Sequence, residues 1–404
     1  MKLFQIDDPR EVVPIGCRLL KLFGLGRDEK LKLLYWVQCV FYLMFSIISR
    51  LLVPINDTKM LLRLGSEFAF VSYQYSQILG LYFRRRYLYR LVDLLQTCIN
   101  KEYSESIDQF VIKSNAKIHK LSITCCKYFT IAYVLYCTMP LIASSAVYVR
   151  NQRNRTAEPE EFIISSEINL FNLNIRFNLL HFSFYTIVIS LLSLTSALSL
   201  CIKDIMDVAA IKTTCLLFQT TAMQIRELKD HISQAQLTAV IKSHRDTLLC
   251  AQYLQEALNL SLLFQLTFCS LIWCLMMFYI LLMGFDSRIL NVLILLLIVT
   301  VETYTYCTLG TQLTDKVRNT QPDGGKANVI FLLQLKGEEV LMALQQLAWY
   351  DQSIPIQKQL LFMIRRSQKP IILSAGKIFY ASVLQFSEMV QKSYSFYLVL
   401  KNVF

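Results

Sequence analysis

The sequence predicts an all-α membrane protein with seven transmembrane helices, a cytoplasmic N-terminus and an extracellular C-terminus. Three observations predict this. The 404 residues are 54% hydrophobic and only 17% charged, against about 25% charged in ordinary soluble domains, and mean hydropathy is +0.42. Several charge-free runs reach or exceed the roughly 20 apolar residues that a spanning helix needs. Lys and Arg gather on one side of those runs.

Residues 1–32 form a cytoplasmic N-terminal segment. Asp7, Asp8, Pro9 and Arg10 leave no uninterrupted apolar core for a cleavable signal peptide, so the first span is expected to insert by itself. That span is 33–49 and the second is 68–83, both slightly short. The third, fourth and fifth are 128–149, 177–202 and 257–285, with 22, 26 and 29 residues free of Asp, Glu, Lys and Arg. The sixth, 289–313, is interrupted once, by Glu302. The seventh lies in 377–404 and carries Glu388 and Lys392. Neither Gly nor Pro occurs between Pro159 and Gly284, which favours long continuous helices. The segment 204–258 keeps apolar residues at helical spacing and predicts two helices that extend spans four and five into the cytoplasm. Residues 33–312 thus hold spans one to six with these extensions. Within 313–376, the turn Gln321-Pro322-Asp323-Gly324-Gly325 precedes two amphipathic helices. Val340, Leu341, Leu344 and Ala348 form one apolar face, and Ile356, Leu360, Leu361 and Ile364 another. These faces are expected to pack on 204–258 as an intracellular anchor.

Orientation follows the Lys/Arg bias. A cytoplasmic N-terminus puts 30 Lys/Arg in the inner segments and 8 in the outer ones, and Arg84-Arg85-Arg86 directly after span two is the sharpest stop signal. The sequons at Asn56 and Asn154 then fall outside, where glycosylation is possible, and Asn259 falls inside. The net charge of +12 reads as this bias plus attraction to anionic inner-leaflet lipid; no separable basic face suggests nucleic acid. None of the 12 cysteines lies in an outer loop, so they are expected to be reduced apolar fillers. Cys125-Cys126 has no His or acidic residue at ligand spacing, and no metal or cofactor is expected. No Ser-His-Asp or Cys-His set and no phosphate loop is present, which argues against an enzyme. Seven spans suggest a G-protein-coupled receptor, but the orientation and the absence of that family's terminal motifs oppose it.

The C-terminal stretch decides among the remaining classes. Trp349-Tyr350, Arg366-Ser367-Gln368-Lys369-Pro370, Ala375-Gly376-Lys377-Ile378-Phe379, Ser382, Phe386 and Ser393-Tyr394-Ser395 resemble the signature region of insect odorant receptors. Over the first 300 residues only length and topology fit. The resemblance implies an odorant-gated, non-selective cation channel. It would be a tetramer built with an obligatory co-receptor, in the plasma membrane of a sensory-neuron dendrite or cilium. The chain looks like a ligand-tuning subunit, because 204–258 is shorter than the co-receptor's second cytoplasmic loop.

By the same resemblance the odorant pocket lies in the outer half of spans two, three, four and six. These offer Ser72, Tyr73 and Ser76; Tyr133, Tyr136, Cys137 and Pro140; His181, Phe182 and Tyr185; and Val301 and Tyr304. Such aromatic walls with few polar groups suit a small neutral volatile, and each of these residues is also ordinary packing material. Glu302 is expected to pair within the bundle. In the seventh span, Glu388 and Lys392 stand four apart in the favourable order and are expected to face the bundle. The stripe Phe386, Val390, Ser393, Tyr397 and Leu400 is then expected to face the pore, with Tyr397, Leu400 and Lys401 at its outer constriction. Four copies of Lys401 would repel cations, whereas one copy beside three co-receptors is tolerable. The alternative reading of Lys401 is a side chain that snorkels to outer headgroups. Rival readings are a homotetrameric gustatory-type channel and a transporter; inverted halves and paired broken helices, which a transporter would carry, are lacking.

Overall fold

A computed structural model describes residues 4–6, 8–27, 32–55, 58–153, 159–171, 173–228, 231–283, 289–314, 338–369 and 373–403. Asn56, Asn154, Pro370 and the 321–325 turn lie outside these residues, as do the side chains of Leu400 and Lys401.

The scarcity of Gly and Pro produces very long helices. After the short α1 (Pro14–Leu20) comes α2 (Lys32–Tyr42), which runs through a π-helical stretch, Leu43–Ile48, into α3 (Ser49–Leu51). Then follow α4 (Thr58–Ile99), α5 (Glu105–Arg153), α6 (Leu179–Arg226) and α7 (Gln234–Met283). The 50 residues of α7 span about 75 Å at 1.5 Å per residue, far beyond a hydrocarbon core of about 30 Å. The surplus forms the intracellular anchor. Local chemistry sets the ends: Glu105 and Asp108 stand in the first turn of α5 and Arg150 and Arg153 in its last, matching the helix dipole. Asn178 caps α6 by accepting from Leu180 N at 2.9 Å. Pro140 lies inside α5, which continues through it as helix.

The seventh helix is reached through α8 (Ile289–Thr314), α9 (Glu338–Gln346), a 3₁₀ turn at Trp349–Asp351 and α10 (Ile354–Ser367). A small hairpin, β1 (Ser374–Ala375) and β2 (Phe379–Tyr380), then leads into α11 (Val383–Val403). Each of the seven expected spans falls on a helix of this set. Five of them qualify as membrane spans on length and apolarity alone. Among the described residues neither α4 nor α11 does, because Ser, Tyr and Gln dilute the apolar stretch of α4, and Glu388 and Lys392 with such polar residues dilute that of α11.

In the anchor, α9 packs on α6 and α10 on α9. Val340, Leu344 and Leu360 are buried there, as are Ile211 and Leu216, each contributing about 1.5–3 kcal/mol where water is excluded. The N-terminal segment is part of this core. Val12 N donates to Gln96 Oε1 at 2.8 Å, and Asn115 Nδ2 donates to Pro9 O at 2.7 Å. The signature stretch folds as a clasp on α7. Gly376 N donates to Asn259 O at 3.1 Å and Lys377 N to Asn259 Oδ1 at 3.2 Å. Gly376 sits at φ +63°, with Leu263 against it, a backbone state that penalises a side chain.

Two charges counted for orientation also serve the interior. Lys203 is 0% exposed and Arg84 6%. Up to Ser393, the expected arrangement of α11 is reversed. Ser393 is buried, its Oγ 3.8 Å from Cys274 Sγ on α7, Met389 is buried, and the Phe386 ring lies 5.4 Å from Tyr304 of α8. Lys392 is exposed, and among the described residues no ion pair joins it to Glu388. The reason is energetic: an arc of Phe386, Met389, Val390 and Ser393 can be packed, whereas turning Lys392 inward would strand a charge. The outward arc carries Gln391, Lys392, Tyr394 and Ser395.

Two outcomes are expected. A Cβ on Gly310 would meet Ala381 O at 2.1 Å, while one on Gly65 would meet nothing within 4 Å. Gly310→Ala should therefore cut the yield of monodisperse protein on size-exclusion chromatography, and Gly65→Ala should not. In the anchor, His244 lies 3.5 Å from Ser367 Oγ; burial, helped by Arg366, pushes its pKa from 6.5 down to about 4. The unfolded chain then binds a proton between those values that the folded chain does not, so stability is full above pH 6.5 and declines as pH falls towards 4. The protection factors for hydrogen exchange in α10, taken relative to the intrinsic rate at each pH, should fall over that window and His244→Gln should flatten the change.

Candidate ligand-binding site

The outer half of the bundle encloses a cavity between α2–α3, α4, α5, α6 and α8. Its walls are Phe70, Val71, Phe129, Ala132, Tyr133, Tyr136, Ile189, Leu192 and Leu295. Aromatic and branched side chains fall there because the helices cross with those faces inward. Its floor is polar and neutral. Tyr42 OH donates to Gln74 Oε1 at 2.6 Å, and Ser196 Oγ donates to the same oxygen at 2.9 Å.

Its roof is ionic. Arg50 donates to Ser166 Oγ and to Ser46 Oγ, the latter at 3.1 Å. The Glu67 carboxylate accepts from Ser166 Oγ at 2.7 Å and Glu167 N at 2.8 Å. Arg63 bridges Glu67 at 3.1 Å and Glu167 at 2.8 Å, and Arg176 reaches Glu167 at 3.0 Å. Glu161 pairs with Arg176 as well. Three guanidinium groups thus meet three carboxylates, a balance that lets charges remain buried. The 160–176 segment is held over the cavity by this network and by Tyr185 OH, which donates to Ser166 O at 2.8 Å while Ser166 N donates back at 2.9 Å.

The cavity measures about 80 Å³, below the several hundred Å³ usual for a ligand site. A body larger than this would fit only if Tyr133, Tyr136 or their neighbours swung aside. What the cavity can do chemically is hold a small apolar body and satisfy one hydrogen-bonding group at the Tyr42–Gln74–Ser196 floor.

Of the expected pocket residues, only Tyr133 and Tyr136 line this cavity. Cys137, Pro140, Phe182 and Tyr185 line a much smaller void beside it, about 10 Å³. His181 Nδ1 is buried with no hydrogen-bond partner among the described residues. Ser72 is half-buried and lines none of the three cavities described, while Ser76 Oγ bonds back to Tyr73 O at 2.6 Å. Tyr73 is turned away from the cavity: its hydroxyl contacts Gln265 and Glu302 of the bundle centre and Lys203 Nζ at 3.1 Å. Val301 lines a separate inner cavity, and Tyr304 is exposed on α8 against Phe386. Tyr397 stacks on Tyr394 at 6.0 Å.

The contributions of α2–α3 and of Ser166 were missed. A signal existed. Arg50 and Glu67 are ionisable residues at the outer ends of apolar spans, and such residues mark interior sites.

The roof makes a clear prediction. Arg50→Ala leaves Glu67 and Ser166 short of a buried cation, which should cost about 3–5 kcal/mol and lower the thermal midpoint of the detergent-solubilised protein. Arg150→Ala breaks only the exposed Arg150–Glu160 pair and should cost under about 1 kcal/mol.

The family profile described as "7tm Odorant receptor" matches residues 67–319 and 332–394. Among curated proteins, the chain is 32% identical over 57 residues to "Odorant receptor Or2" of Anopheles gambiae, covering 14% of this chain and 15% of that one. It is 26% identical over 171 residues to "Odorant receptor 19a" of Drosophila melanogaster, covering 42% and 39%. The matched segments thus span well under two thirds of those relatives. Among solved structures, the fold is similar to the insect olfactory receptor OR5 from Machilis hrabei in complex with eugenol, with a TM-score of 0.72 and 11% identity over 97% of this chain and 98% of that one. The structure of the same receptor described without eugenol gives 0.69 and 11%, over 96% and 97%.

Proposed function

This chain belongs to the 7tm odorant receptor family, a receptor family and not an enzyme family, and on that premise we propose that it is the odorant-binding subunit of a heteromeric, odorant-gated, non-selective cation channel. Its partner would be the odorant receptor co-receptor, with one copy of this chain beside three. The channel would work in the plasma membrane of a sensory-neuron dendrite or cilium.

The observation that carries the reading is the outer cavity: aromatic and aliphatic walls over a neutral Tyr42–Gln74–Ser196 floor, sealed by an ionic roof. That chemistry suits a small neutral volatile with one polar group. Eugenol in the structurally similar receptor supports a small organic ligand for this chain also. The odorant would bind the open arrangement better than the closed one and shift the population. Movement at the outer end of α11 would withdraw Tyr397 and Leu400 from the conduit. The outward arc of Gln391 and Ser395 gives the conduit or a neighbouring subunit a polar surface. Lys401 supports the minority stoichiometry, since a ring of four would repel cations.

Co-expression with the co-receptor and a volatile panel tests this. Odorant-evoked cation current is expected. Tyr136→Ala should raise the half-maximal concentration about tenfold, the scale of one lost close contact. Tyr397→Ala with Leu400→Ala should give leak current without odorant. Normal gating in that double variant, at normal surface expression, would remove the gate assignment. Full currents from this chain alone would favour the homotetrameric reading.

A further inference from the structure

The largest cavity described is not the outer one. On the cytoplasmic side of Lys203, between α5, α6 and α8, lies a space of about 460 Å³, well inside the range of small-molecule sites. Leu121, Thr124, Val208, Val301 and Leu309 are among its walls. Leu121 is 41% exposed and Val301 40%, so the mouth opens sideways between α5 and α8. Its cytoplasmic end is bounded by Leu121 of α5 and Leu309 of α8. Leu309 stands four residues before 313, the expected inner end of span six, so this end is level with the inner headgroups.

The polar groups of the wall are spent elsewhere. Ser122 Oγ donates to Ile118 O at 3.1 Å, Thr124 Oγ1 to Lys120 O at 3.0 Å and Thr305 Oγ1 to Val301 O at 2.7 Å, each within its own helix. Asp204 and Glu302 turn to Lys203 and are 7% and 5% exposed. What they leave is an apolar slot. Outside its mouth the chemistry inverts. Lys113, Lys117, Lys120 and Lys127 are all exposed on α5. Their spacing of four, three and seven residues keeps them on one face of the helix. Lys117 stands one turn from Leu121, and Lys120 and Lys127 each stand one turn from Thr124. None of the four forms an ion pair among the described residues, and α5 carries no Asp or Glu after Asp108. Lys212, on the α6 wall, has a partner of its own.

We propose that the slot and the lysines together form a site for one anionic phospholipid of the inner leaflet. An acyl chain lies in the slot against Leu121, Val208 and Val301, and the headgroup phosphate lies on Lys117 and Lys120. A zwitterionic lipid brings its own cation to the lysines and loses most of their attraction. A soluble phosphate has nothing to place in the slot. The charge bias that orients the chain requires lysines on this side of the membrane, but not on one helix face, unpaired, at the mouth of an apolar cavity. The site differs from the outer cavity in depth, charge and access, and the bound chain packs between α5 and α8 beside the central Lys203 contacts.

The test is photolabelling of the full-length chain in phosphatidylcholine nanodiscs, together with co-receptor where that is needed for purification. The probe is phosphatidylserine with a diazirine on one acyl chain, and phosphatidylcholine with the same chain is its control. Adducts on this chain are mapped by mass spectrometry. The serine probe should label the α5 and α8 peptides that carry residues 118–129 and 301–309, and the choline probe should label them about tenfold less. Lys117→Gln with Lys120→Gln changes only exposed, unpaired side chains, so folding should persist while labelling by the serine probe falls to the level of the control. Val208→Trp should fill the slot and abolish labelling with the lysines intact, and Ser196→Ala in the outer cavity should change nothing. Equal labelling by the two probes, labelling indifferent to the double Lys variant, or adducts shared evenly with the basic 84–90 peptide of α4 would mean bulk attraction to the bilayer and would overturn the proposal. Absence of adducts from both peptides, as when a neighbouring subunit covers the mouth, would overturn it as well. No channel current enters this readout, so its failure is separable from failure of the odorant-gating reading.

Discussion

The fold depends on Lys203. Its ammonium is fully buried and is met by Glu302, by Gln265 Oε1 at 2.9 Å, by Tyr73 OH at 3.1 Å and by Asp204 at 3.4 Å. Those partners sit on α8, α7, α4 and α6 itself, so one side chain ties four helices. Arg84 and Asp207, 3.4 Å apart, continue the network towards the cytoplasm, and Gln265 Nε2 extends it to Thr303 Oγ1 at 2.8 Å. Inside a membrane-spanning bundle, charges of this kind must be paired or they cannot be tolerated. The helices are therefore held in a particular register wherever this group is satisfied.

The two halves of the molecule are held by different physics. In lipid, apolar surface gains little by leaving its solvent, so helices associate through close packing and polar contacts. The Lys203 network and the Arg50–Arg63–Arg176 roof supply those contacts at mid-depth and at the outer end. Between them lies the neutral outer cavity, the part of the bundle least constrained by charge and the part able to rearrange around a ligand. In the anchor, water is the competing solvent and burial of Leu344, Leu360 and Ile211 is directly stabilising. The hairpin clasp at Gly376 joins these regimes, linking α10 and α11 through Asn259.

This division explains the placement of α11. Its packed arc, Phe386, Met389, Val390 and Ser393, is free of charge and mostly apolar, while its outward arc mixes Gln391, Lys392 and Ser395 with Tyr394. A helix at the periphery of its own subunit, carrying polar residues outwards, is suited to meet either water or a neighbouring subunit, and not lipid alone.

Composition and run length by themselves determined the helical class and five of the spans, and the Lys/Arg bias pointed to the orientation, because long apolar helices suit the bilayer and Lys/Arg remain on one side of it. The signature residues near the C-terminus likewise marked the family, since a clasp built on Gly376 and Ala375 is specific at the level of residue identity. The prediction that Glu302 pairs within the bundle also came from sequence, as an intramembrane acid has few other options. Only the tertiary structure decided what that acid pairs with, because Lys203 lies 99 residues away and had been counted simply as a cytoplasmic charge. It alone decided that Tyr73 serves the bundle centre and Ser393 the α7 contact, and that span one and Ser166 complete the outer cavity. Which way a side chain on a helix points depends on the rotation of that helix against its neighbours. That rotation is set by contacts between residues far apart in sequence, which no local pattern encodes.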